Sequence, residues 1–224
     1  MLNTALNLVQ SNSSVLWNGL FFTVRIILIS LLFSILGGLF FGALRCSSLK
    51  IFRYSSRAFL EFYRALPMPL LLLATFFLVP QTFGLQLSGE TVAITIFSIW
   101  GSVETGELIR GALESLPRIQ YESGRSIGLS VPQLYRHVLF PQALPRILPS
   151  GMNLVTRMVK TSSNVILVGV VDLVKQIQQI VERTQEPFAG YFVLAVAFFI
   201  LCFPIAQLAK ILERRYSSKA GDYE

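Results

Sequence analysis

The stretch LWNGLFFTVRIILISLLFSILGGLFFGAL, residues 16–44, decides the fold class of this chain. Arg25 is its only charged residue, and the stretch exceeds the roughly 20 mostly apolar residues with which a helix crosses a bilayer. Arg25 lies near the start, from where a long side chain can extend toward the membrane surface. Because a backbone in lipid must satisfy its own hydrogen bonds, the stretch predicts a membrane-spanning helix.

Four further stretches have the length and composition of membrane spans: residues 59–79, 91–110, 153–171 and 188–209. The second is interrupted by Pro67 and Pro69. Overall the chain is 53% hydrophobic and 14% charged, with a mean hydropathy of +0.61. A soluble domain carries about 25% charged residues. The sequence therefore predicts an all-α integral membrane protein, a five-span helical bundle that forms one domain over residues 1–224.

The distribution of basic residues predicts the orientation of this bundle. Segments 45–64, 110–160 and the tail after residue 209 together carry sixteen Lys and Arg, whereas the opposite side has only Lys175 and Arg183. The positive-inside rule then places the N-terminus outside and the C-terminus in the cytoplasm. Such clustering between apolar runs also argues that the net charge of +7 does not serve nucleic-acid binding. No Lys or Arg precedes Arg25, so no cleavable signal peptide is predicted and the first span should remain as an anchor.

The largest predicted cytoplasmic segment, residues 111–150, contains ESGRSIGLSVPQLYRHVLFPQALPRILP at 122–149. Residues 121–127 favour a short helix with small surface residues, and Gly128 is a plausible helix end. Ser130 and Gln133 match a capping box that opens a second short helix, which should stop before Pro141. The helix with the small residues could enter a groove on a partner. Spacing alone leaves equally open a solvated basic loop that contacts lipid headgroups.

The motifs of this segment and its flanks resemble those of one transport family. GELIRGALESLP at 106–117, EFYRALP at 61–67, LFPQAL at 139–144 and VGVVDL at 168–173 accompany Glu122, Gly128 and the ILP of 147–149. Together they resemble the permease subunits of bacterial polar amino-acid ABC importers, from about residue 17 to 215. The family's two signature alanines are Ser123 and Gly124 here, and its usual Lys-Asp-Thr-Ser is Lys-Thr-Ser-Ser at 160–163.

This resemblance implies a type I importer permease in the bacterial inner membrane that imports an amino acid. Its implied partners are a pair of ABC ATPase subunits that bind ATP and Mg²⁺, a second permease subunit (identical or homologous) and a periplasmic substrate-binding protein. The implied ATPase-coupling residues are Glu122, Ser123, Gly124, Gly128 and Leu129. Three alternatives remain at this point: a permease for another small zwitterion such as an opine, an ion-gradient secondary transporter, and a membrane scaffold.

Charged and polar residues within the spans are candidates for a substrate pathway, because they are costly in lipid. The set comprises Arg64, Glu104, Glu107, Lys160, Ser162 and Ser163. Glu104 and Glu107 lie three residues apart and so share a helix face. Interhelical ion pairing, or a pair between Glu107 and Arg110 on one helix, would explain the same residues structurally. The serines could equally join helices by hydrogen bonds.

The chain offers little for catalysis. It contains no GxxxxGK[ST], HExxH or CxxC motif, and its single histidine, His137, lies in the basic segment. Cys46 and Cys202 have no metal-ligand spacing. We therefore expect no catalytic site, metal or cofactor in this chain, with ATP hydrolysis left to a partner. Gly38 and Gly42 form a GxxxG pair that predicts close helix packing, within the chain or with a second permease.

Overall fold

The described part of the chain is helical throughout. The computed structural model describes residues 2–47 and 49–220, with side chains as far as residue 215. The helices are α1 (Leu2–Ser11), α2 (Ser13–Arg45), α3 (Lys50–Ala65), α4 (Met68–Phe83), α5 (Gly89–Glu114), α6 (Arg118–Ser126), α7 (Val131–Leu134), α8 (Phe140–Thr161), α9 (Leu173–Thr184) and α10 (Pro187–Ala220). A π turn at Tyr135–Leu139 joins α7 to α8, and a 3₁₀ segment at Ser162–Val168 extends α8.

Three of these helices are long and apolar enough to cross a membrane: α2, α5 and α10. Two bent pairs, α3 with α4 and the unit Val131–Val168 with α9, bring the number of possible crossings to five. Five is the number predicted from the sequence. The predicted stretches 16–44, 91–110 and 188–209 each lie within one helix.

The predicted span 59–79 is not one helix. α3 and α4 meet at an angle of 98° between Ala65 and Met68. Leu66 is extended, with φ −97° and ψ 134°, because the ring of Pro67 disfavours helical geometry in the residue before it. Pro67 is itself extended at ψ 136°, and α4 starts directly after it. The prolines therefore turn the chain sharply where the sequence predicted only an interruption.

The predicted span 153–171 is also not one regular helix. Its first part belongs to α8, which begins thirteen residues earlier, and its second part is the 3₁₀ segment. Gly169, at φ +76°, ends that segment. The chain then bends by 59° into α9, whose first turn is capped by the Asp172 side chain. The tighter 3₁₀ geometry leaves the polar residues at 161–164 off a single α-helical face.

Small residues let α2 and α5 pack closely along their length, and this pair forms the centre of the bundle. A side chain at Gly38 would overlap Thr105, and one at Gly42 would come within 3.1 Å of Ile109. The GxxxG pair of α2 therefore packs within the chain, which is one of the two partners that the sequence left open. Gly106 of α5 faces α2 in return and lies against the backbone around Phe41.

Gly106→Leu should strongly lower the amount of folded protein. A Cβ there would lie 2.7 Å from Phe41 Cβ and 2.9 Å from the backbone nitrogen of Gly42, so the two helices would have to separate. Overpacking of this kind costs about 1–3 kcal/mol. Gly151→Leu is the matched control, because no atom lies within 4 Å of the position its Cβ would take. Size-exclusion chromatography of detergent extracts measures both; equal yields would contradict the packing argument.

Candidate functional site

Glu104 is the centre of the candidate site. It lies on α5, on the part of the helix that packs against α2, and its side chain is only 7% exposed. Arg64 Nε donates a hydrogen bond to Glu104 Oε1 at 2.7 Å, and Arg157 Nη2 donates to Oε2 at 2.9 Å. One carboxylate thus holds two guanidinium groups from two other helices, one on each oxygen.

The two arginines that contact Glu104 come from different helices, α3 and α8. Arg64 is in the last turn of α3, directly before the bend, whereas Arg157 comes from α8. The Arg157 guanidinium also lies over the ring of Trp100, 5.6 Å from its centroid, which is a cation–π arrangement. Both arginines remain about half exposed, so each keeps N–H groups for a further partner.

These side chains line an open cavity of about 400 Å³. The remaining walls come from Tyr63, Leu66, Met68 and Thr161. The cavity thus combines apolar and aromatic walls with two cationic groups and one anionic group. That volume falls in the range of small-molecule sites. Chemically, the arrangement can bind a small solute that carries both a carboxylate and an ammonium group.

Glu107, the second acid predicted for the pathway, belongs to a different cluster. Its Oε2 lies 2.6 Å from Arg45 Nη2, and its Oε1 lies 2.6 Å from Arg110 Nη2. Arg110 also pairs with Glu114 on the same helix. The pairing of Glu107 with Arg110, expected as the structural alternative, is therefore present. This cluster lines a separate cavity of about 560 Å³, and Arg64 borders both cavities.

Besides Glu107, three further predicted pathway residues do not line the Glu104 cavity. Lys160 is exposed, and Ser162 is buried with its hydroxyl donating to the carbonyl of Val159 at 2.7 Å. Ser163 donates in the same way to the carbonyl of Lys160. Arg157 and Thr161, which belong to the same predicted span, line the cavity instead, and their spacing of four residues places them on one helix face.

The coupling segment begins with α6, which starts at Arg118, three residues earlier than predicted. Gly128 follows it in a left-handed conformation at φ +84°. Its N–H donates to the carbonyl of Arg125, and the N–H of Leu129 donates to that of Gly124, which is the Schellman pattern. The predicted helix end at Gly128 is thus confirmed. Glu122 and Ser123 are exposed on the outer side of α6.

Gly124 does not lie on the surface, contrary to the prediction. It is buried, and a Cβ there would overlap Leu134 Cδ1 of α7. Leu134 is itself fully buried, in an apolar cluster that Leu129 covers in part. The small residue at 124 therefore allows α6 and α7 to pack together, and Ser123 remains the small residue available to a partner.

The second short helix also differs from the prediction at its end. It is capped as expected: Gln133 Oε1 accepts hydrogen bonds from the Ser130 backbone N–H at 3.0 Å and from its hydroxyl at 2.8 Å. It does not stop before Pro141 but continues through the π turn into α8. The N–H of Phe140 donates to the carbonyl of Tyr135, five residues back. The wider turn accommodates the ring of Pro141, which would clash in a regular α-helix.

Residues 34–218 match the protein family described as binding-protein-dependent transport system inner membrane component. The chain belongs to this family. It is the inner-membrane permease subunit of an ABC importer, so the predicted family, fold class and location are confirmed. Permeases of this family work with ATPase subunits and a substrate-binding protein. The family assignment favours this function over a secondary transporter or a scaffold.

Among curated relatives, the chain is 29% identical over 209 residues to the "Probable glutamine ABC transporter permease protein GlnP" of Bacillus subtilis (strain 168), covering 92% of this chain and 95% of the relative. Among solved structures, it matches an amino acid ABC transporter crystallised with histidines at a TM-score of 0.86 and 28% identity, over 94% and 97% of the two chains. The inward-facing MetNI methionine ABC transporter gives a TM-score of 0.72 at 22% identity, over 91% and 97%, and shows the shared fold.

Proposed function

We propose that this permease imports an amino acid. One permease chain offers few helices to enclose a pathway, so it pairs with a second permease subunit, identical or homologous. Two ATPase subunits dock on the cytoplasmic side and bind ATP and Mg²⁺, and a periplasmic binding protein delivers the solute. The glutamine permease and the amino acid transporter to which the chain is similar support this choice of substrate.

The arrangement around Glu104 is the observation that carries this proposal. An α-amino acid presents a carboxylate and an ammonium group on adjacent atoms. The free N–H groups of Arg64 and Arg157 complement the carboxylate, since guanidinium groups bind carboxylates with charge-assisted hydrogen bonds. Glu104 complements the ammonium group. The Glu104 carboxylate also accepts a hydrogen bond from each arginine and so holds both in position.

Coupling to ATP hydrolysis runs through α6 in this proposal. Its exposed residues Glu122 and Ser123 enter a groove on the ATPase, and Gly128 with Leu129 fixes the angle to the following helix. From Val131 the chain is continuously helical as far as Val168, so the same rod carries the joint at one end and Arg157 near the other. Closure of the ATPases moves α6 and with it Arg157. This displacement changes the access of the Glu104 cavity from inward to outward.

Uptake into proteoliposomes tests the proposal. The permease, tagged and gently solubilised, is reconstituted with the ATPase and binding protein that co-purify with it, and labelled amino acids are offered outside. We expect uptake that requires ATP in the lumen of the proteoliposomes, where the ATPase subunits lie. This uptake should persist when ionophores dissipate ion gradients. Uptake that follows an ion gradient without ATP would contradict the proposal. If an opine competed with the labelled amino acid more strongly than every unlabelled amino acid does, the proposed substrate would be an opine instead of an amino acid.

A further inference from the structure

A third polar cavity, of about 520 Å³, lies where α2 ends, α3 begins and the coupling helices pack beneath them. Its polar walls are formed by Arg45, Arg53, Arg118, Tyr121 and Tyr135. Its base is apolar and comes from the end of α5 and from the π turn. None of its lining residues belongs to the Glu104 cavity. It shares Arg45, Arg53 and Glu114 with the Glu107 cavity, but the proposed solute site around Glu104 does not account for it.

The charges that line the cavity are unbalanced. Three guanidinium groups and one carboxylate, Glu114, line it. Glu114 already pairs with Arg110, and Arg45 pairs with Glu107 outside the cavity. Arg53 and Arg118 have no ion-pair partner within residues 2–47 and 49–215. A cavity with this excess of positive charge favours an anionic occupant.

Arg45 is the buried element of this site. Its side chain is only 7% exposed, and its Nη2 contacts Glu107. Its Nε and Nη1 have no hydrogen-bond partner among the described residues. Buried polar groups are almost always paired, and a guanidinium group left partly unpaired is costly. An anion bound beside Arg45 would supply the missing acceptors after a small side-chain movement.

Two tyrosine hydroxyls complete the set of donors. Neither Tyr121 nor Tyr135 makes a side-chain hydrogen bond within the part of the chain that the structure describes. Burial raises the pKa of Tyr135, so its hydroxyl stays protonated at neutral pH. Guanidinium and hydroxyl donors that converge on one small space suit the several acceptor oxygens of a phosphate group.

We propose that this cavity binds a phosphate group, and that the group belongs to the headgroup of an anionic phospholipid. Ile51 and Phe52 flank Arg53 on α3 and are 70% and 47% exposed, so they offer an apolar surface to the acyl chains next to the headgroup. The basic clusters place this end of the bundle on the cytoplasmic side, where pockets of this kind bind lipid headgroups. A phosphate held by Arg45, Arg53 and Arg118 ties the end of α2 and the start of α3 to α6. Binding of a headgroup here does not depend on which solute the permease transports.

Lipid retention by the purified importer complex tests this site. Complexes are extracted from nanodiscs of phosphatidylcholine, with or without phosphatidylglycerol, and bound lipid is measured by native mass spectrometry. We expect the unmodified complex to retain phosphatidylglycerol selectively. Arg53→Gln with Arg118→Gln should weaken its binding about tenfold or more, since charge-assisted hydrogen bonds are lost. In parallel, inorganic phosphate is added to delipidated complex and its melting temperature is followed.

The matched control removes two exposed basic residues from the same side of the bundle, by Arg136→Gln with Lys210→Gln. This pair lies outside the cavity and should retain phosphatidylglycerol as the unmodified complex does. In one alternative outcome, inorganic phosphate stabilises the unmodified complex and the control variant but not the cavity variant, while none of the three selects phosphatidylglycerol. That result would assign the cavity to free phosphate instead of a lipid headgroup. Equal lipid and phosphate binding by all three proteins overturns the proposal. An equal loss in the control variant overturns it as well, because net charge would then account for the binding.

Discussion

Gly128→Arg is expected to abolish ATP-driven uptake while the permease still inserts into the membrane. Apart from its two neighbours, no residue that the structure describes lies within 4 Å of the position of an added Cβ, so the first atom of the new side chain fits without a clash. The substitution instead strains the backbone, because Gly128 has a left-handed φ of +84°. A residue with a side chain adopts that conformation at a cost of roughly 1–2 kcal/mol. The substitution also adds a long cationic side chain at the joint behind α6, next to the surface that we propose receives the ATPase. Co-purification of the ATPase and uptake into proteoliposomes measure the two consequences.

Gly128→Asn separates the backbone effect from the bulk of the side chain. Asparagine tolerates the left-handed conformation, so this variant should keep the turn and most of the transport. A Gly128→Arg permease that retains its ATPase and transports at the normal rate would show that this joint has no role in coupling. Loss of membrane insertion in Gly128→Arg would mean that the turn serves folding instead.

Arg157→Gln is expected to reduce uptake about tenfold or more. The change removes one of the two guanidinium groups that face the cavity, and a hydrogen bond to a charged group contributes about 1.5–3 kcal/mol. Lys160→Gln is the matched control, because Lys160 lies one turn further along the chain, is exposed and does not line the cavity. The KM and maximal rate of uptake for the preferred amino acid give the measurement. Equal effects of the two substitutions would contradict the proposed binding site.

Glu104→Gln distinguishes a binding role from a structural one. If Glu104 binds the ammonium group of the solute, the Glu104→Gln variant should have a changed KM for uptake, while enough folded protein remains to measure it. A lower yield with an unchanged KM would identify Glu104 as a structural anchor for Arg64 and Arg157. The variant Arg157→Gln combined with Glu104→Gln then completes a double-mutant cycle for the pair.

Local chemistry allowed parts of the coupling segment to be predicted from the sequence. The left-handed turn at Gly128 and the cap formed by Ser130 and Gln133 depend on neighbours within a few residues. The burial of Gly124 could not be predicted in the same way, because it depends on Leu134 of the next helix. The sequence indicated that Pro67 interrupts the second span, but not that the chain turns there by 98°.

The composition of the candidate site was only partly predictable for the same reason. Glu104 was predicted because an acid within an apolar stretch is unusual. Its partners lie 40 and 53 residues away along the chain, and only the packing of three helices brings them together. Lys160 attracted attention as a charge in the fourth stretch. The rotation of α8 instead turns Arg157 toward Glu104 and leaves Lys160 outside.

The uninterrupted helical rod from Val131 to Val168 determines how force can travel through this subunit. At 1.5 Å per residue, the distance along its axis from Leu134 to Arg157 is roughly 35 Å. In the proposed coupling, a segment of that length needs no relay of switching side chains, because a small tilt at the Val131 end becomes a displacement of several ångströms at the far end. The π turn near its base, and Pro145 and Pro149 within α8, interrupt the regular hydrogen bonding, so the segment can bend at these points. Stiffening the π turn should change the displacement that reaches Arg157, and hence the rate of uptake, without changing the affinity for the solute.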